Sequence, residues 1–160
     1  MAVRSAGILL YRHGAAGELE VWIGHMGGPF WAAKKSHAWS LPKGEYQADE
    51  DPLVAARREF TEEIGTPPPS ADYTLLGEFL QPSGKLITVF AAASDFQPGQ
   101  IISNTFPLEW PKGSGIIQHF PEIDDARWVT ESDARTKLVK GQLPILDALV
   151  KGLLERQDHP

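Results

Sequence analysis

GEYQADEDPLVAARREFTEEIG, residues Gly44 to Gly65, contains a well-marked helix and a charge pattern that works against it. Asp51-Pro52 reads as the start. Asp is a favoured N-cap whose side-chain oxygen accepts free backbone N–H groups, and Pro suits the first helical position, where no N–H is needed. Gly65 supplies the stop, and Pro67-Pro68-Pro69 keeps the helix from resuming. Leu53, Ala56, Phe60 and Ile64 recur at spacings of three and four, the pattern of one buried stripe. At roughly 100° per residue, Glu59, Glu62 and Glu63 fall on a second stripe, about a quarter-turn to a third-turn from the first.

That second stripe costs stability. The last turns of a helix carry the negative end of its macrodipole, which disfavours each anion by about 0.3–1 kcal/mol. Glu59 and Glu63 are also like charges at i,i+4, which Arg58 offsets in part by reaching Glu62. A local arrangement that opposes stability marks a functional site. Carboxylates gathered at the edge of a core need a cation, and with no Cys or His in the stretch every donor is a hard oxygen. Such a set suits Mg²⁺ or Mn²⁺ rather than zinc, and Mg²⁺ favours a few carboxylates together with waters and substrate phosphates.

Gly44, Glu50 and Arg58-Glu59-Phe60-Thr61-Glu62-Glu63-Ile64-Gly65 together resemble the signature of the Nudix hydrolases at every fixed glycine and polar position. Phe60 and Thr66 stand where the family usually has aliphatic residues; both are packing positions. The resemblance implies a Nudix-type α/β/α sandwich with a mixed sheet as the fold, and hydrolysis of a nucleoside diphosphate linked to another group as the activity. By the same resemblance Glu59, Glu62 and Glu63 would hold divalent cations, Mg²⁺ or Mn²⁺, with Glu50 and the carbonyl at Gly44 assisting. Arg58 would orient the glutamates. The family's members differ in where the general base comes from, which leaves Glu59, Glu62 and, in a loop or strand start before Ala126 to Val129, Glu122 as candidates; Asp124 and Asp125 compete with Glu122. The segment WSLPKGE is similar to the approach to the signature in diadenosine polyphosphate hydrolases.

Other features bound the rest. The chain has 160 residues, 42% hydrophobic and 22% charged, the profile of one globular domain spanning residues 1–160. Its net charge of −6 disfavours long nucleic acids and is compatible with a small nucleotide-type substrate complexed to metal. No cysteine is present, which removes thiol catalysis and argues against an isoprenoid diphosphate isomerase on this fold. No apolar run approaches the roughly 20 residues of a membrane span. The run in MAVRSAGILLYR is too short for a signal peptide, so a cytoplasmic enzyme is expected. Dimers are common in the resembled family, which leaves a homodimer open. A catalytically silent nucleotide-binding regulator on the same scaffold is the competing function.

Along the chain, Ser5 to Tyr11, Leu19 to Ile23, Trp39 to Leu41, Tyr73 to Gln81, Leu86 to Ala92 and Ala126 to Val129 read as strands. Asp95 to Gly115 is Pro-rich and reads as irregular. Helices are expected over Glu131 to Val139, capped by Thr130, and over Pro144 to Arg156, with Ile145, Leu146, Leu149, Leu153 and Leu154 on the apolar side. Lys43 is a candidate phosphate contact, and Phe30 or Trp31 a candidate stacking surface for a base. His25 and His119 are weaker candidates for phosphate binding or proton transfer.

Overall fold

A computed structural model describes residues 3–158; Met1 and Ala2, part of the N-terminal stretch considered above, lie outside them. Strand β1 (Arg4–His13) is central and reads as a nearly continuous apolar run because both of its faces are covered. Ala6, Ile8 and Leu10 join one core cluster, and Leu9 and Tyr11 the other. A turn at Gly14 to Gly17 leads into β2 (Leu19–Met26), antiparallel to β1, with Gly17 at φ 85°. Past Leu10 and Trp22 these two strands part. The gap is filled by β3 (Trp39–Ser40), which pairs with β2, and β4 (Lys43–Glu45), which pairs with β1.

Helix α1 (Pro52–Ile64) crosses one face of the sheet. Its cap is as expected: Asp51 accepts the N–H groups of Leu53 and Val54, both at 3.1 Å, and Gly65 ends the helix at φ 85°. The buried stripe is Ala55, Ala56, Phe60 and Ile64, with Leu53 only half-buried at the first turn. Strands β5 (Thr74–Leu80) and β6 (Leu86–Ala93) follow, β6 running parallel to β1 and β5 forming the edge. Within the segment expected to be irregular lies β7 (Thr105–Glu109), which pairs with β8 (Ile117–Pro121) in a separate two-stranded arm. Strand β9 (Ile123–Thr130) returns to pair with β2. The result is an α/β/α sandwich with a mixed sheet.

Helix α2 (Glu131–Lys137) is capped by Thr130 and stops before the expected Val139, because Leu138 is extended, buried and bridged to Trp39. A 3-10 turn (Lys140–Gln142) leads to α3 (Leu143–Asp158) on the face opposite α1. Ile145, Leu146 and Leu149 are buried there and Leu153 packs against them, whereas Leu154 is 57% exposed and lies outside the stripe. Among the described residues no helix is long and apolar enough to cross a membrane.

Phe60 is fully buried, its ring 5.8 Å from Trp22 and 5.5 Å from Phe96, while Trp22 and Phe96 meet edge-on at 5.1 Å. The aromatic departure from the family pattern therefore has a local cause: three rings fill the space under α1. Phe60→Leu should cost about 1–1.5 kcal/mol through lost ring contacts and imperfect filling. Urea unfolding should show a lower midpoint with an unchanged slope.

Candidate active site

The three glutamates at the end of α1 differ in burial. Glu63, nearest the apolar stripe, is 9% exposed; the Glu59 side chain is 13% exposed and that of Glu62 44%. Glu63 Oε1 accepts the backbone N–H of Lys43 at 2.9 Å. Burial pushes Glu63 up to about 8; the Lys43 N–H and the Lys43 charge oppose the shift, and the negative charges of Glu122 and Glu59 add to it. Burial also holds Glu59 above the usual carboxylate range, with the Arg58 hydrogen bond working against this and Glu62 with it. Burial is thus the main reason that both carboxyls resist ionisation, with their neighbouring carboxylates adding to it.

Gly44 makes this approach feasible. A Cβ at this position would overlap the Glu59 carboxylate and lie 2.7 Å from its Cγ. Glycine is required here for closeness rather than for an unusual backbone angle. Gly44→Ala should destabilise the fold by about 1–3 kcal/mol through overpacking. Adding Glu59→Ala should restore most of that loss, since the clash is with one side chain; a double-mutant cycle by urea unfolding measures the recovery.

Arg58 has a wider grip than its helical spacing to Glu62 suggests. It forks onto Glu50, Nη2 to Oε1 at 3.0 Å and Nε to Oε2 at 3.1 Å, while Nη1 donates to Glu59 at 2.7 Å and to Glu62 at 3.4 Å. These partners, Glu50 first, raise the guanidinium pKa still further. A planar donor fork held by two carboxylates fixes their orientation. Glu50 is thereby engaged by Arg58.

Three of the C-terminal carbonyls of α1 are satisfied by the Gly65 cap and by a backbone strap. Gly65 N–H donates to Thr61 at 2.8 Å, Ile102 N–H to Ile64 at 2.9 Å and Asn104 N–H to Glu62 at 2.8 Å. The strap continues: Glu122 N–H donates to Asn104 and Gly27 N–H to Glu122, each at 2.9 Å. It brings Glu122, from the junction of β8 and β9, to where its charge acts on Glu63. The competing aspartates are otherwise occupied. Asp124 meets His25 Nδ1 at 2.7 Å, and Asp125 pairs with Arg127.

Other sequence candidates separate. Lys43 adjoins Glu63 through its backbone and its charge. Trp31 packs against the core under α3, and Phe30 is 64% exposed with the Lys34 ammonium 3.6 Å over its ring. No hydrogen bond or aromatic contact joins either ring to the acid cluster among the described residues. His25 ties its loop down, Nε2 lying 2.8 Å from the Lys34 carbonyl, and His119 is exposed on β8. The strap itself escaped sequence reasoning, because backbone hydrogen bonds leave no side-chain signal.

The donor set is all oxygen, and Glu63 is a buried acid among acids, which suits a hard divalent cation. Among the described residues no three acidic side chains encircle a cation position; the Arg58 guanidinium stands among Glu50, Glu59 and Glu62.

Comparison with known proteins bears on the fold and the family. The Nudix domain of Shewanella oneidensis NrtR, solved with ADP ribose, matches with a TM-score of 0.65 at 17% identity, covering 96% of this chain and 89% of that one. An Ap4A hydrolase of C. elegans matches at 0.62 and 20% identity, over 96% and 99%. Both show the fold alone. An RNA pyrophosphohydrolase of Bartonella henselae is 44% identical over 64 residues, 39% of this chain and 35% of that protein, so the chain matches about a third of the length of this curated relative. The family model described as NUDIX domain matches residues 1–149, nearly the whole chain and all of the Gly44–Gly65 signature, so the protein belongs to the Nudix hydrolase family.

Proposed function

We propose that the protein hydrolyses a pyrophosphate linkage in a nucleoside diphosphate bonded to a further group, with Mg²⁺ or Mn²⁺ as the cation. The observation that carries this is the grouping of Glu59 against Gly44, buried Glu63 on the Lys43 N–H with the charges of Glu59 and Glu122 acting on it, and Arg58 tying Glu59 to Glu50 and Glu62. An RNA pyrophosphohydrolase among its relatives and an Ap4A hydrolase among its structural neighbours support a substrate of the nucleotide type.

Glu59, Glu62 and Glu63, with the Gly44 carbonyl, would hold the cation, which supplies charge neutralisation of the phosphates and acidification of a coordinated water. Arg58 keeps Glu50 and Glu59 in place. Glu62 and Glu122, the more exposed carboxylates, are suited to accept the proton of the attacking water. Water adds to phosphorus, the P–O bond of the linkage breaks, and two phosphate-ended products leave.

Product analysis tests this. The purified protein is incubated with nucleoside triphosphates, dinucleoside polyphosphates, nucleotide sugars and a capped RNA, with Mg²⁺, with Mn²⁺ and with EDTA. Cleavage that requires the metal is the expected result. Binding without cleavage of any substrate would favour the silent regulator.

A further inference from the structure

A recess of about 350 Å³ lies under the last turns of α3, over the part of the sheet where β1, β6 and β5 run side by side. Its origin is a change of residue size on both facing layers. Ile87 and Val89 of β6 pack with Ile145 and Leu149 of α3 in one core cluster. Two residues further along β6, and about one turn further along α3, the recess is lined by Ala91 and Gly152 instead. Leu76 and Leu153 wall the space that this leaves.

Gly152 is the informative position. In a helix interior glycine is less stable than alanine, because it loses more chain freedom on folding. Here a Cβ would meet nothing within 4 Å, so packing within the chain does not call for glycine. A local choice that opposes stability with no gain inside the fold marks a functional position. The volume falls in the range of small-ligand pockets, which are mostly apolar with a few placed polar groups.

Those polar groups stand at one end. Tyr11 is only 8% exposed, and Arg156, 145 residues away, donates from Nη1 to its hydroxyl at 3.4 Å. That bond is long. Among the described residues the Tyr11 proton has no acceptor and Arg156 has no ion pair. Two donors thus stand together with no acceptor, and a planar guanidinium suits a carboxylate. At the rim Lys151 and Glu155 carry opposite charges, so Arg156 sets the sign of the opening. The glutamates of α1 are remote. They lie across the sheet, and Tyr11 is five residues along β1 from Ala6, the partner of Gly44, roughly 17 Å of strand.

We propose that this recess binds a small amphiphilic anion, a carboxylate on a hydrocarbon body, with the body beside Gly152 and the carboxylate on Arg156 and Tyr11. Its occupancy does not depend on the proposed hydrolysis.

Amide NMR of the full chain titrated with sodium octanoate tests this, with 1-octanol and acetate as controls. Octanoate should shift the amides of Thr74, Ala91 and Gly152. It should bind about tenfold more tightly than 1-octanol, the difference that hydrogen bonds to a charged group supply. Acetate lacks the body and should leave these amides unmoved at the same concentration. Arg156→Gln should weaken octanoate binding about tenfold and leave 1-octanol binding unchanged. Gly152→Leu puts a side chain into the recess and should abolish octanoate binding. Its urea midpoint should be no lower than that of wild type, since the added atoms enter open space and leucine is the better helix former. Octanoate binding that survives Gly152→Leu, equal affinities for octanoate and 1-octanol, or no binding at all would overturn the site. So would shifts at Thr74 and Gly152 that follow protein concentration and ignore octanoate, the behaviour of a second copy seated there.

Discussion

Glu62→Gln should lower kcat/KM on the cleaved nucleotide by about 10²–10⁴, the range for losing a positioned carboxylate in proton transfer. The fold should hardly notice. The side chain is 44% exposed and its closest recorded partner, Arg58, sits 3.4 Å away, a distance a glutamine oxygen can still accept over. Arg58 keeps its shorter bonds to Glu50 and Glu59, at 3.0, 3.1 and 2.7 Å. The strap keeps its bond from Asn104 N–H to the Glu62 carbonyl, which the substitution leaves untouched. Stability within about 0.5 kcal/mol of wild type is therefore expected, as for a surface change. Steady-state kinetics at rising Mg²⁺ separates the two roles open to Glu62. If saturating metal restores kcat, Glu62 is chiefly a ligand; if kcat stays low, it takes the proton. Near-wild-type rates under all metal concentrations would remove Glu62 from the site.

How far the sequence reached can be argued from particular residues. Helix α1 was legible because its boundaries rest on local chemistry: Asp51 and Pro52 at one end, Gly65 at the other. The placing of Glu59, Glu62 and Glu63 on a stripe beside the apolar one also follows from angle; their graded burial does not, since Ala55, fully buried, lies about 20° from Glu62. What escaped depends on partners far along the chain. Arg58 reaches Glu50, eight residues back, because the loop before α1 folds over it, and periodicity says nothing about a loop. Asp124 has its partner in His25, 99 residues away. Strand β7 was hidden by Pro107, which demotes a strand on inspection; in a two-stranded arm every strand is an edge, where proline is tolerated. The acid cluster was thus readable as residues, while its support was not, because that support is backbone hydrogen bonding from Ile102, Asn104 and Glu122.

Glu63→Gln should stabilise the metal-free protein at high pH while abolishing most turnover. The sign follows from linkage. In the folded protein Glu63 is pushed up to about 8, whereas an unfolded glutamate titrates near 4.3. Between those values the folded state binds the extra proton, so stability falls as pH rises through the window. Below about pH 4 both states are protonated and the penalty is absent; above about 8 it is fully present, on the order of several kcal/mol for a shift of this size. Glutamine carries no charge and can still accept the Lys43 N–H, now at 2.9 Å from Glu63 Oε1. The stability gain of Glu63→Gln over wild type should therefore be small at pH 4–5 and grow steadily to pH 9. Urea unfolding in EDTA across that range measures it. Excess Mg²⁺ should reverse the order at pH 8–9, because a cation bound to the ionised wild-type site stabilises only the folded state. A gain independent of pH would mean that Glu63 stays ionised in the folded, metal-free protein, leaving no protonated acid for a cation to displace.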